Sequence, residues 1–305
     1  MERLTAIARE PGRLSVSGAP EGYDAYVVVQ AAARSGGLTL FVAADDARAN
    51  ALAEAARFFA PHLPLYDFPA WDCLPYDRVS PRPDIESRRL ATLAALAARG
   101  EGEGSGLIVT TINALLQRVP PRDYLAEASF VARVGTDVDG AALNAFLARN
   151  GYVRAGTVRE PGEYAVRGGI VDLWPPGEEQ PLRLDFFGDR LETIRNFDAG
   201  TQLSQGTQEK IVLLPASETP LDSKSISRFR SGYVARFGAV TDDDPLYAAI
   251  SEGRRHAGQE HWLPLFYERL DTLFDYAPGA LVFLGHQIEE AKKDRKSTRL
   301  NSSHT

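Results

Sequence analysis

The sequence predicts an α/β fold on a largely parallel sheet with flanking helices, interrupted by a smaller α+β insert. Two short apolar runs without alternation, Leu38–Ala43 and Leu107–Thr111, stand between alanine- and leucine-rich segments of helical length. That is the pattern of buried parallel strands joined by helices. From about Phe130 the rhythm changes to one helix followed by closely spaced hairpins. After Ile211–Leu214 longer helical segments return.

Each element has a local cause. The apolar stretch opening at Tyr26–Val29 passes into alanine-rich helix, and Gly36-Gly37 ends it. Asp45 or Asp46 can cap the helix that continues to Phe59, before Pro61 and Pro64. Ile85–Arg99 is a further helix, with Asp84 near its start and Gly100 after its end. The glycines alternating from Gly100 to Gly106 make a flexible surface loop. Asp139–Arg149 is the helix of the insert. Between Val158 and Asp198 lie two hairpins. The first has runs bounded by Pro161-Gly162 and Pro175-Pro176-Gly177, and the second turns at Gly188-Asp189. Ser225–Phe237 and Pro245–Glu252 read as helices, the latter with Asp244 as cap and Pro245 at its first position. Leu281–Leu284 is a last short strand. No internal repeat is evident.

Composition narrows the function. The chain has 305 residues, 44% of them apolar and 25% charged, which suits a soluble protein of two domains. No run reaches the roughly 20 apolar residues needed to span a bilayer. The first residues lack the apolar core of a secretory signal, so the expected location is cytoplasmic. The single cysteine, Cys73, excludes an internal disulfide and reads as a buried structural thiol. A formal net charge of −7 argues against this chain holding nucleic acid by itself and favours a protein partner.

Catalytic constellations are sought and not found. A phosphate loop needs GxxxxGK[ST], so that backbone N–H groups, a lysine and a hydroxyl meet the triphosphate and its Mg²⁺. The nearest stretch, Ser17–Asp24, puts Tyr23 at the lysine and Asp24 at the hydroxyl position, with Gly18 one residue too close. Glu21 and Asp24 would repel phosphate, so the loop reads as degenerate. His256–His261 matches neither zinc-protease spacing. Ser17-Gly18 and Ser231-Gly232 do not form a nucleophile elbow. No cofactor or metal is expected.

The second hairpin carries the strongest binding signal. In the strand entering its turn, alternation sets Leu182, Leu184 and Phe186 on one face and Arg183, Asp185 and Phe187 on the other. The first set can fill a core. The second leaves a large aromatic beside an arginine on the wetter face, a pairing typical of interface hot spots.

The string EYAVRGGIVDLWPPG, followed by LRLDFFGDRLETIRNFD, resembles the module shared by UvrB and the transcription-repair coupling factors (Mfd). LYDFPAWDCLPYDRVSPRPDIESRRLATL, IVTTINALLQRVPP, IVLLPASE and GQEHWLPLF are similar to the N-terminal UvrB-homology region of the second family, in the same order. The compact Trp71–Asp77 stretch is unlike the tyrosine-rich hairpin with which UvrB grips damaged DNA.

This resemblance implies a degenerate phosphate-loop NTPase-like α/β domain in two parts, 1–124 and 211–295, around a UvrA-binding α+β domain at 125–210. It implies UvrA as partner, with Arg167, Arg183 and Phe187 at the contacting positions. Phe187 would supply desolvated area, and the two arginines would offer forks to carboxylates. The family protein is an ATP-dependent DNA translocase that releases stalled RNA polymerase. Its contacts to RNA polymerase and duplex DNA are expected in domains absent from this chain, as is the domain that masks the UvrA surface. The chain itself is expected to have no enzyme activity; the alternative is a nucleotide-binding α/β enzyme or a UvrB-like helicase fragment. Residues 296–305 look like translated sequencing adapter and not like part of the fold.

Overall fold

The computed structural model describes residues 12–18, 22–74, 78–100, 102–240 and 244–293. The final segment from 296, Asp242, Asp243 and the middle of the phosphate-loop-like stretch lie outside them. Contacts gather the chain into two compact units: 1–70 with 98–118 and 271–305, and 71–97 with 119–270. These units cut across the expected segments, because residues 71–97 and 211–270 pack with the insert.

The first unit is the parallel α/β layer. Helix α1 (Tyr23–Arg34), strand β1 (Leu38–Ala43), helix α2 (Asp46–Phe59), strand β2 (Leu65–Phe68) and strand β3 (Gly106–Thr111) follow one another. β1 and β3 run parallel in register from Leu38 against Gly106 to Ala43 against Thr111. β2 flanks β3, and the distant strand Leu281–Leu284 flanks β1, all parallel. Asp45 caps α2 by accepting from Arg48 N–H at 2.8 Å. Phe41, Ala43, Leu107 and Val109 bury one sheet face against Val28, Val29 and Ala32 of α1 and Leu52 and Ala56 of α2. The small alanines at this seam let the helices lie close to the sheet.

The second unit holds helix α3 (Pro83–Ala98) and the hairpin region. The expected pair of hairpins is part of a larger sheet. β5 (Val153–Arg154), β6 (Glu163–Arg167), β7 (Ile170–Leu173), β8 (Leu182–Phe187), β9 (Arg190–Phe197) and β10 (Ser204–Gln208) neighbour one another in chain order. All pairs are antiparallel except β5 with β6. A separate two-stranded ribbon joins β4 (Phe130–Arg133) to β11 (Lys210–Leu213). Helix α4 (Gly140–Arg149), capped by Asp139, brings Leu143, Phe146 and Leu147 onto the core formed by Val171, Leu173, Leu182, Leu184, Leu191 and Ile194. Helix α5 (Ser223–Phe237) packs Phe229 with Ile250, Leu263 and Phe266 in a second cluster. Asp244 caps the short helix that begins at Pro245, as its sequence position indicates. Cys73 is half-buried, not fully enclosed.

Candidate functional site

Two tight turns shape the candidate face. β6 and β7 join through Gly168-Gly169, and β8 and β9 through Gly188-Asp189. Gly168 and Gly188 have φ of 60° and 63°, the left-handed value that a two-residue turn with glycine first requires. Gly169 answers a different need. Its carbonyl accepts the Phe186 N–H at 2.7 Å, and a Cβ there would stand 2.6 Å from the Phe186 carbonyl oxygen.

The alternation expected for β8 holds. Leu182 and Leu184 are buried in the main core and Phe186 packs partly against it, while Arg183, Asp185 and Phe187 occupy the other face. Register places Asp172 opposite Arg183, Ile170 opposite Asp185, and Arg167 opposite Ile170. Across β9, Arg195 faces Arg183 and Thr193 faces Asp185, before a bulge shifts the pairing. Arg167, Arg183 and Phe187 therefore share one sheet face. They differ in what they offer to solvent.

Phe187 is 82% exposed. It stands at the end of β8, opposite Arg190 and beside the Gly188-Asp189 turn. Ile170 is also exposed, and Arg167 leaves 54% of its side chain open. Arg183 is turned inward. Its Nε and Nη2 donate to the two carboxylate oxygens of Asp172 at 2.7 and 2.9 Å. Its guanidinium lies 4.8 Å from the centre of the Phe197 ring, and Nη1 is 3.5 Å from the Gln202 carbonyl. Hydrogen bonding to Asp172 raises the Arg183 pKa further, so this charge is permanent.

Beneath the arginine, Val158, Ala165, Phe197 and Trp174 form a small second core on this face. The face thus grades from a packed end, through the Arg183–Asp172 pair, to an open end bearing Arg167, Ile170 and Phe187. Between them Asp185 accepts from Thr193 Oγ1 at 2.6 Å and Arg195 Nε at 3.1 Å. Sequence pattern alone misses Asp172, Ile170, Arg195 and Phe197 as neighbours of the expected trio. Only strand register could have found them.

Elsewhere, Asp24 of the phosphate-loop-like stretch forms an ion pair with Arg48. Among the described residues no group of three or more His, Cys, Asp or Glu is placed to hold a metal. Nor is any described helix long and apolar enough to cross a membrane.

The sheet lies within a stretch that matches a known family. Residues 130–218, which include all six strands of the sheet, match the family described as the UvrB interaction domain. The chain is 37% identical over 272 residues to the transcription-repair-coupling factor of Escherichia coli, covering 89% of this chain and 23% of that protein. It is 35% identical over 278 residues to that of Haemophilus influenzae, 90% of this chain and 24% of the relative. For Rickettsia bellii the values are 34% over 252 residues, 83% and 22%. The chain thus spans about a quarter of the length of these relatives. Over the stretch that it shares with them, the chain belongs to the family of transcription-repair-coupling factors, with a UvrB interaction domain at 130–218.

Proposed function

We propose that this chain is a recruitment module of transcription-coupled nucleotide excision repair, docking UvrA through the outer face of the 125–210 insert. The observation that carries the reading is Phe187, a large aromatic 82% exposed on a rigid hairpin, with Ile170 and Arg167 open on the same face. Leaving such a group in water is unfavourable unless a partner covers it. The complement is an apolar pocket bordered by a carboxylate that can meet Arg167. The match of residues 130–218 to the UvrB interaction domain supports docking through this part of the chain.

On this reading the segments 1–124 and 211–295 are a degenerate phosphate-loop NTPase-like scaffold without ATPase activity. RNA polymerase and duplex DNA are bound by other parts of the family protein. The test is calorimetric titration of purified UvrA into the chain and into Phe187→Ala. Removing a central hot spot is expected to weaken binding by about 2 kcal/mol or more, roughly thirtyfold, with an unchanged melting temperature. Equal affinity of the two chains would sink the assignment of this face. No binding by either would sink the function.

A further inference from the structure

We propose that Asp172 is the positioning residue of the docking face, holding Arg183 and Arg167 in the spacing that the partner meets. The proposal rests on the reading of this face as the UvrA site. Asp172 is 2% exposed, at the centre of β7, and two arginines from two different strands converge on it. Arg183 from β8 takes both its oxygens in a fork, and Arg167 Nη2 from β6 lies 3.6 Å from Oδ2.

A single arginine suffices to neutralise a buried carboxylate. The second one is therefore informative. Arg167 is half-exposed and contributes little to stability through so long and wet a contact. What the contact does is bias where its guanidinium rests. Without the carboxylate, two like charges on the strands either side of β7 would repel, and the flexible Arg167 would swing away. The cluster of two cations and one anion keeps a net positive charge, displayed at the Arg167 end.

The two arginines then have different tasks. Arg183 is the fixed frame, locked by the fork to Asp172 and by Phe197 below it. Arg167 is the contact, with donors still open to a partner carboxylate. A partner that needs Arg167 in one position binds more weakly in proportion to the time Arg167 spends elsewhere.

The experiment titrates UvrA into the full chain and into Asp172→Asn, Arg167→Ala and the double variant. Asp172→Asn is expected to lose about tenfold in affinity if the competent placement falls to about a tenth of the population. Because the loss acts through Arg167, the double variant should bind hardly worse than Arg167→Ala alone. A merely structural Asp172 would give losses that add, and additivity would overturn the proposal. So would wild-type affinity in folded Asp172→Asn.

Should Asp172→Asn not fold, the unaltered chain still decides. Its Arg183 Nε–Hε proton should exchange slowly and resonate apart from that of Arg167. Fast exchange at Arg183 would overturn the fork. If the unaltered chain does not bind UvrA at all, function and positioning role fall together. Failure confined to the variants' pattern removes only the positioning role.

Discussion

Arg89 and Glu218, 129 residues apart in sequence, are both wholly buried and are joined from Nε to Oε1 at 2.5 Å. The pair links helix α3 to the segment that follows the Lys210–Leu213 strand, within the second unit. Trp71 Nε1 also donates to Glu218, at 3.2 Å, and its ring stands 5.4 Å from the Arg89 guanidinium. Glu218→Gln would remove the carboxylate that compensates the arginine's buried charge, at a cost of about 3–5 kcal/mol. Arg89→Met combined with Glu218→Leu removes both charges and should recover most of that loss. Urea denaturation of the three chains checks this, and a double variant as unstable as the single one would count against it.

Beside this pair lies a carboxyl group whose pKa is raised, chiefly by burial. Glu86 is buried, with Ser217 Oγ donating to it at 3.2 Å. Burial chiefly, and then the nearby Glu260 and Glu218 carboxylates, push its pKa up to about 8, against a lowering influence from Arg255. Because the folded value lies above the unfolded one, its contribution to stability is complete below about pH 4.5. It is lost as pH rises through about 8. The urea midpoint should therefore fall between pH 5 and 9. In Glu86→Gln, which stays neutral throughout, the fall should be shallower. Identical slopes would refute the assignment.

The hairpin geometry makes Gly169 a second handle on the docking face. An alanine there would push against the Phe186 carbonyl at 2.6 Å and open the bond from Phe186 N–H to Gly169. Gly169→Ala is expected to lower stability by roughly 0.5–1.5 kcal/mol, the net contribution of the hydrogen bond it disrupts. It should also weaken UvrA binding, since Phe187 is the next residue. Thermal unfolding and titration of one preparation measure both. Loss of stability with intact binding would separate the turn from the face.

Nucleotide should leave the chain unaffected. With Asp24 paired to Arg48, the phosphate-loop-like stretch presents an acid where a nucleotide site needs a hydroxyl. Ligand at a hundredfold over its dissociation constant adds about 2.7 kcal/mol, which a melting curve resolves easily. An unchanged melting temperature at millimolar ATP with Mg²⁺ is expected. A rise of several degrees would favour the nucleotide-binding alternative.

Local sequence alone determined much of this protein. β1, β3, the caps at Asp45, Asp139 and Asp244, the Gly188-Asp189 turn and the outward face of β8 are all set by short-range rules. Apolar runs, capping side chains, positive-φ glycines and period-two alternation act within a few residues of chain, so they can be read without the fold. The tertiary structure decided what those rules do not reach. Val153–Arg154, only two residues long, and Ser204–Gln208, wholly polar, are exposed edge strands held extended by a neighbour. The long connection from Trp174 to Pro181 leaves the β7–β8 register unconstrained by any tight turn. Register is what sets Asp172 against Arg183. That pairing engages the fork of an arginine that alternation alone sets on the outward face. Phe187, at the end of its strand beside a two-residue turn, had no such neighbour to acquire, and stands open as its alternation implied.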